Sequence, residues 1–182
     1  MPTLILFGTT TSPYVRRARM VAAELGLAYD LVNTFSPDGQ QALRAASPIW
    51  KVPTAKLIGE DGRDEVIYDS HAITEVLLHR YGPGPLSPFD PYEVSVRNAI
   101  AVIDGALDAL INVFYLRRDG VEDSDYLSTQ GQRAESSLAW LDQRAAIMGD
   151  AADFGLEQIA LVSTIDWIRF REGMRFFGRE SE

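Results

Sequence analysis

The residues best suited to chemistry are concentrated in three short segments. The first is TTTSPYVRRAR, residues 9 to 19, with four hydroxyl side chains in a row, a proline, a tyrosine and three arginines. Ser12 is a favoured helix N-cap, and Pro13 suits the first helical position, where a missing N–H costs nothing. A strand that opens into a helix at Ser12 turns unsatisfied N–H groups and the positive end of the helix dipole toward whatever lies in front of it. An anion is favoured there. Capping explains Ser12 and Pro13 but leaves the three preceding threonines without a role. The second segment is SPIWKVPTAKL, residues 47 to 57, with Pro53 at the start of a strand. The third is VIYDSHAITEVLLHRYG, residues 66 to 82, where Asp69 and Ser70 open a helix.

Composition removes many alternatives. With no cysteine, the chain has no disulfide, no thiolate metal site and no cysteine nucleophile. His71 and His79 alone supply a histidine metal centre or a Ser/His/Asp triad poorly, so no metal is expected. A net charge of −9 argues against nucleic-acid binding, because phosphate contacts need a basic surface. The apolar runs fall short of the roughly 20 residues of a membrane span. The start MPTLILFG shows neither a basic region nor a cleavage site, so a cytoplasmic protein without membrane attachment is expected.

The elements that must position these segments follow from periodicity. TLILFG, residues 3 to 8, reads as a buried strand, and helical spacing from Pro13 to Leu25 stops at Gly26, a plausible C-cap. AYDLVN at 28 to 33 reads as a second strand, and DGQQALRAAS at 38 to 47 as a short helix. VPTAKLI and DEVIYD are strands of a hairpin turned by GEDGR, and Ser70 to Tyr81 is a third helix ending at Gly82. The order is β-α-β-α-β-β-α. GPGPLSPFDP, residues 82 to 91, reads as a linker. Beyond it three helices are expected, from Asp90 to about Arg118, Asp125 to Ala146 and Leu156 to about Arg171, with a helical stub at MRFF, residues 174 to 177. Residues 1–82 thus form an α/β domain, 83–89 a linker and 90–182 an all-helical domain.

In the order and spacing of the three segments, the first 82 residues resemble the cytosolic glutathione S-transferase family, closest to bacterial members with a serine at the strand-to-helix junction. The resemblance implies a thioredoxin-like N-terminal domain followed by an all-α helical bundle. It implies that glutathione is a co-substrate whose thiolate attacks small hydrophobic electrophiles, as in detoxification. In the family this hydroxyl holds the thiolate, a role that falls to Ser12, with Thr11 and Thr10 as the alternatives. Lowering a thiol from its free pKa of about 8.5 by about two units takes roughly 2.7 kcal/mol, which a serine O–H and a helix terminus can supply.

The resemblance further implies a cis Val52–Pro53 bond, with the Val52 backbone pairing with the cysteinyl part of glutathione as an added strand would. Lys51 meets the glycyl carboxylate or is a solvated lysine. Ser70 takes the γ-glutamyl carboxylate and Asp69 the ammonium group, on the same geometry as capping. Arg16, Arg17 and Arg19 are expected to form a solvated or ion-paired face. A homodimer is implied, the N-terminal domain of one subunit against the helical domain of the other.

In the helical half, Val96, Ile100, Ile103, Leu107, Leu110 and Phe114 make a core stripe. Asp104, Asp108, Asn112 and Tyr115 share another face, where two aspartates four apart repel by about 0.2–0.5 kcal/mol. That face is either solvated or turned across the cleft toward the glutathione site. With Tyr14, residues Asp108, Asn112 and Tyr115 are therefore candidates for the electrophile pocket. Asp166 is a candidate buried carboxylate. Three departures stand out: Gly155 and Gln158 where relatives have a Ser/Thr-x-x-Asp capping box, Ser47 and Trp50 where they often have Asn and Gly, and an expected short C-terminus. A non-catalytic binding or interaction protein on the same fold is the alternative function.

Overall fold

The computed structural model describes residues 4–59, 62–146 and 154–171. They fall into two units, Met1–Phe89 with Asp153–Ile159, and Asp90–Ala152 with Ala160–Glu182. In the first unit the chain runs β1 (Leu4–Gly8), α1 (Pro13–Glu24), β2 (Tyr29–Asn33), α2 (Pro37–Ala46), β3 (Thr54–Leu57), β4 (Glu65–Ile67) and α3 (Ser70–Tyr81). This is the thioredoxin-like order expected. The strands lie in the order β2-β1-β3-β4, with β1 parallel to β2, and β3 antiparallel to both β1 and β4.

The apolar run of β1 is continuous because its residues are covered on both sides: Leu4, Leu6 and Phe7 are all buried. Val15, Ala18, Val21 and Ala22 of α1 and Ile73 and Leu77 of α3 complete this core. Gly8 lets α1 seat against β1, since a Cβ there would stand 2.4 Å from Val15 Cγ2. Gly26, with φ +66°, closes α1 through Gly26 N–H to Ala23 O and Leu27 N–H to Ala22 O.

Several boundaries differ from the sequence reading for local reasons. Helix α2 starts at Pro37, capped by Ser36, whose Oγ accepts Gly39 N–H at 3.1 Å. β3 begins at Thr54, since Pro53 has no N–H for a ladder. The stretch 83–89 belongs to the first unit: Leu86 is buried, and Ser87 N–H donates to Phe154 O at 2.9 Å.

The second unit contains α4 (Val94–Arg118), α5 (Asp125–Ala145) and most of α6 (Leu156–Phe170). α4 starts at Val94 and not at Asp90, because Asp90 accepts Tyr92 N–H on Oδ1 and Glu93 N–H on its carbonyl. Such an Asx turn competes with helix. Ile103 and Ala106 of α4 pack with Leu141 of α5 and Ala160 of α6. At 25 residues and a mean hydropathy of 1.7 over its most apolar stretch, α4 is by length and composition apolar enough to cross a membrane, although Asp104 and Asp108 interrupt its apolar run. Half of that stretch is buried within the protein. The departure at α6 is compensated, because Gln158 Oε1 accepts Gly155 N–H at 3.0 Å, one half of a capping box. Asp166 is half-buried, not enclosed. The stub at 174–177 lies outside the described residues.

Candidate functional site

Strand direction brings the three segments together. Because β3 runs against β1 with Phe7 opposite Thr54, the start of β3 lies at the end of β1. Because β4 runs against β3 with Ala55 opposite Ile67, the end of β4 returns to that same edge. The loop Thr9–Ser12, the pair Val52–Pro53 and the pair Asp69–Ser70 therefore line one end of three adjacent strands. Two strand spacings cover about 10 Å, close to the reach of an extended tripeptide.

At the first position Ser12 caps α1, its Oγ accepting Val15 N–H at 3.3 Å and its carbonyl accepting Arg16 N–H at 3.0 Å. Its hydroxyl proton has no acceptor among the described residues, so it can donate to a ligand. Thr11 Oγ1 is 3.3 Å from Thr9 Oγ1, and Thr10 is exposed. Ser12 is the hydroxyl placed directly at the helix terminus. Behind it Arg17 is 1% exposed, with its guanidinium 5.8 Å from the Tyr14 ring centre. Of the two alternatives expected for this face, solvated or ion-paired, burial rules out the solvated one at Arg17. Pro13 and Val21, one turn to either side and both buried, were the available signal. Arg19 donates from Nε to Tyr29 Oη at 2.9 Å, and Arg16 is exposed.

At the second position the Val52–Pro53 bond is cis. Among the described residues the Val52 N–H and C=O have no hydrogen-bond partner, which leaves them open to a strand-like ligand. Lys51 is exposed, and its carbonyl accepts from Thr54 Oγ1 at 3.0 Å. The sequence reading missed Arg44, whose guanidinium lies 4.6 Å over the ring of Trp50. Trp50 itself holds φ +53°.

At the third position Asp69 caps α3 by accepting His71 N–H at 3.0 Å, and Ile73 N–H bonds to the Asp69 carbonyl. Ser70 is buried, and its carbonyl accepts from Thr74 Oγ1 at 3.0 Å. Its Oγ has no partner among the described residues. The far end of α3 is tied to the sheet by Arg80, which makes two hydrogen bonds to the Glu65 carboxylate of β4. The Arg80 guanidinium holds the Glu65 carboxyl below its ordinary value.

The other pocket candidates are not drawn into this edge by strand register. Tyr14 is half-buried on α1. Asp108 and Tyr115 are exposed on α4, and the Tyr115 ring carries the Arg118 guanidinium at 4.7 Å. Asn112 is directed to α5, with Nδ2 3.5 Å from Gln130 Oε1. Among the described residues no cluster of three or more His, Asp or Glu has the arrangement of a metal site.

A model of the family described as glutathione S-transferase, N-terminal domain, matches residues 6–85. Over 173 residues the chain is 30% identical to the uncharacterized GST-like protein YibF of Escherichia coli (strain K12), covering 91% of this chain and 82% of that protein. A glutathione S-transferase from Methylobacillus flagellatus KT, solved with GSH bound, superposes with a TM-score of 0.77 at 29% identity, covering 93% of this chain and 85% of that one. A glutathione transferase family member from Pseudomonas fluorescens Pf-5, solved with bound glutathione, gives 0.74 at 26% identity, with 96% and 87% covered.

Proposed function

The chain belongs to the glutathione S-transferase family, and from that premise we propose that it binds glutathione along the sheet edge and conjugates it, through its thiolate sulfur, to small hydrophobic electrophiles. The observation that carries this reading is the strand register, which sets a hydroxyl at a helix terminus, an open backbone pair and a second helix terminus along one edge. Those three groups match the thiol, the cysteinyl backbone and the γ-glutamyl end of an extended tripeptide.

In this mechanism Ser12 Oγ donates its proton in a hydrogen bond to the sulfur, and the α1 dipole adds to the stabilisation of the thiolate. Val52 pairs with the cysteinyl N–H and C=O, Ser70 takes the γ-glutamyl carboxylate, Asp69 the ammonium group and Lys51 the glycyl carboxylate. The sulfur lone pair then forms a bond to the electrophilic carbon as its leaving group departs or its double bond or ring opens. Holding both reactants supplies the larger share of the rate, since orientation removes the entropic cost of a bimolecular encounter. The reading includes a cytoplasmic homodimer.

Calorimetric titration of the purified protein with reduced glutathione, followed by turnover of an activated aryl halide, tests the reading. The expected dissociation constant lies between about 1 μM and 1 mM, or about −8 to −4 kcal/mol. Binding without turnover of aryl halides, epoxides or unsaturated carbonyls would refute the transferase and leave a binding protein. Absence of binding would refute both.

A further inference from the structure

The loop between α2 and β3 leads into the open Val52 backbone pair, yet little within it holds its shape. Ser47 N–H closes α2 on the Leu43 carbonyl at 2.8 Å, and the Lys51 carbonyl accepts from Thr54 Oγ1 at 3.0 Å. Between those two bonds Pro48, Ile49 and Trp50 are exposed and make no hydrogen bond among the described residues. Ser47 is 1% exposed, and its Oγ is buried without a partner, so the hydroxyl does not tie the loop from within.

Among the described residues Trp50 is the one non-glycine residue with positive φ, at +53°. A bulky side chain is strained in that conformation and keeps it only where a contact compensates. Burial does not supply the contact, because Trp50 is 58% exposed. Arg44 does, with its guanidinium 4.6 Å over the Trp50 ring and no ion pair among the described residues to draw it elsewhere. The helix that carries Arg44 is itself fixed. Leu43 is buried, Ser36 caps α2, and Gln40 Nε2 donates to the Thr34 carbonyl at 2.6 Å, just past β2. An anchored helix thus reaches through one side chain to the loop, two residues before Val52.

We propose that Arg44 and Trp50 are positioning residues, whose stack clasps the loop from outside and holds the Val52 N–H and C=O toward the ligand edge. The consequence for binding rests on the reading of that edge as a glutathione site, but neither side chain needs to touch the tripeptide. A cation–π contact at an exposed site shifts an equilibrium by about two- to fivefold.

Two measurements on the full chain test the clasp. The first is hydrogen exchange of the Ile49, Trp50, Lys51 and Val52 amides without glutathione. Arg44→Met, which keeps the length of the side chain and removes its charge, should speed these amides by about two- to fivefold and leave those of β3 unchanged. Arg44→Lys, which keeps a cation, should restore most of the protection. Exchange that does not respond to Arg44→Met overturns the proposal, whether or not the protein binds glutathione.

The second is a double-mutant cycle read in glutathione affinity and turnover. Arg44→Met and Trp50→Leu should each weaken glutathione binding by about two- to fivefold, with kcat at saturating glutathione unchanged, and the double variant should bind no more weakly than either single one. Losses that multiply in the double variant would mean two independent contacts with the ligand, and they overturn the proposal. A wild-type protein that binds no glutathione refutes the reading of the edge, and the exchange measurement then decides the clasp by itself.

Discussion

Backbone hydrogen bonds align the candidate side chains of the α/β unit, whereas those of the helical unit depend on which neighbour each side chain meets. Ser12, Val52 and Ser70 share an edge because three strands pair in a fixed register, and each stands at a strand end or a helix terminus. On α4, Asp108, Asn112 and Tyr115 share a face through helical spacing alone. There Asn112 is directed to Gln130 and Tyr115 to Arg118. A site built on backbone register is robust to side-chain replacement except at the groups that touch ligand. A site built on a helix face changes with each substitution.

Substitutions that act in one unit and not the other test this contrast. Ser12→Ala carries the largest expected effect, a loss of up to roughly 100-fold in kcat/KM for an aryl halide, the ceiling being the two pKa units of thiol stabilisation that Ser12 and the α1 terminus supply together. Glutathione affinity, followed by calorimetry, should stay within about threefold. A loss of activity under about threefold transfers the role to Thr11 or Thr10. Ser70→Ala should instead weaken glutathione binding by about 10- to 100-fold, the worth of a hydrogen bond to a charged group, with kcat at saturation much less affected. Equal losses in both parameters would place Ser70 outside the binding edge.

Tyr115→Ala should leave glutathione affinity unchanged and alter relative turnover among several electrophiles by up to about tenfold, the scale of contacts in an apolar pocket. Unchanged ratios would remove Tyr115 from the pocket. The smallest effect is expected at Glu65, whose carboxyl Arg80 holds below its ordinary value. Lowered in the folded state, this group contributes stability above the unfolded carboxyl pKa of about 4.3 that is lost as pH falls through the lower folded value. Melting curves of Glu65→Gln should therefore lie slightly below those of the wild-type protein at pH 7 and converge with them in acid. The pair is exposed, so the difference is small.

What was legible in the sequence follows the same division. Ser12-Pro13, Gly26 and Asp69-Ser70 announce helix ends through their own backbone chemistry, and each stands where local rules put it. The solvated alternative failed at Arg17 because a charged side chain signals solvent, while its position between Pro13 and Val21 buries it. The start of α4 moved because the Asp90 side chain competes for backbone N–H groups, a contest that periodicity does not register. The pairing of Asn112 with Gln130 joins residues far apart in the chain, and no local signal precedes it.

The central claim is that the sheet edge holds glutathione with its thiol ionised by Ser12 and the α1 terminus. The most direct measurement is the ultraviolet absorbance of the thiolate of protein-bound glutathione as a function of pH, in the wild-type protein and in Ser12→Ala. The account predicts a bound thiol titrating about two units below its free value of roughly 8.5, and a return toward that value in Ser12→Ala. Bound glutathione that titrates at its free value in both proteins would contradict it.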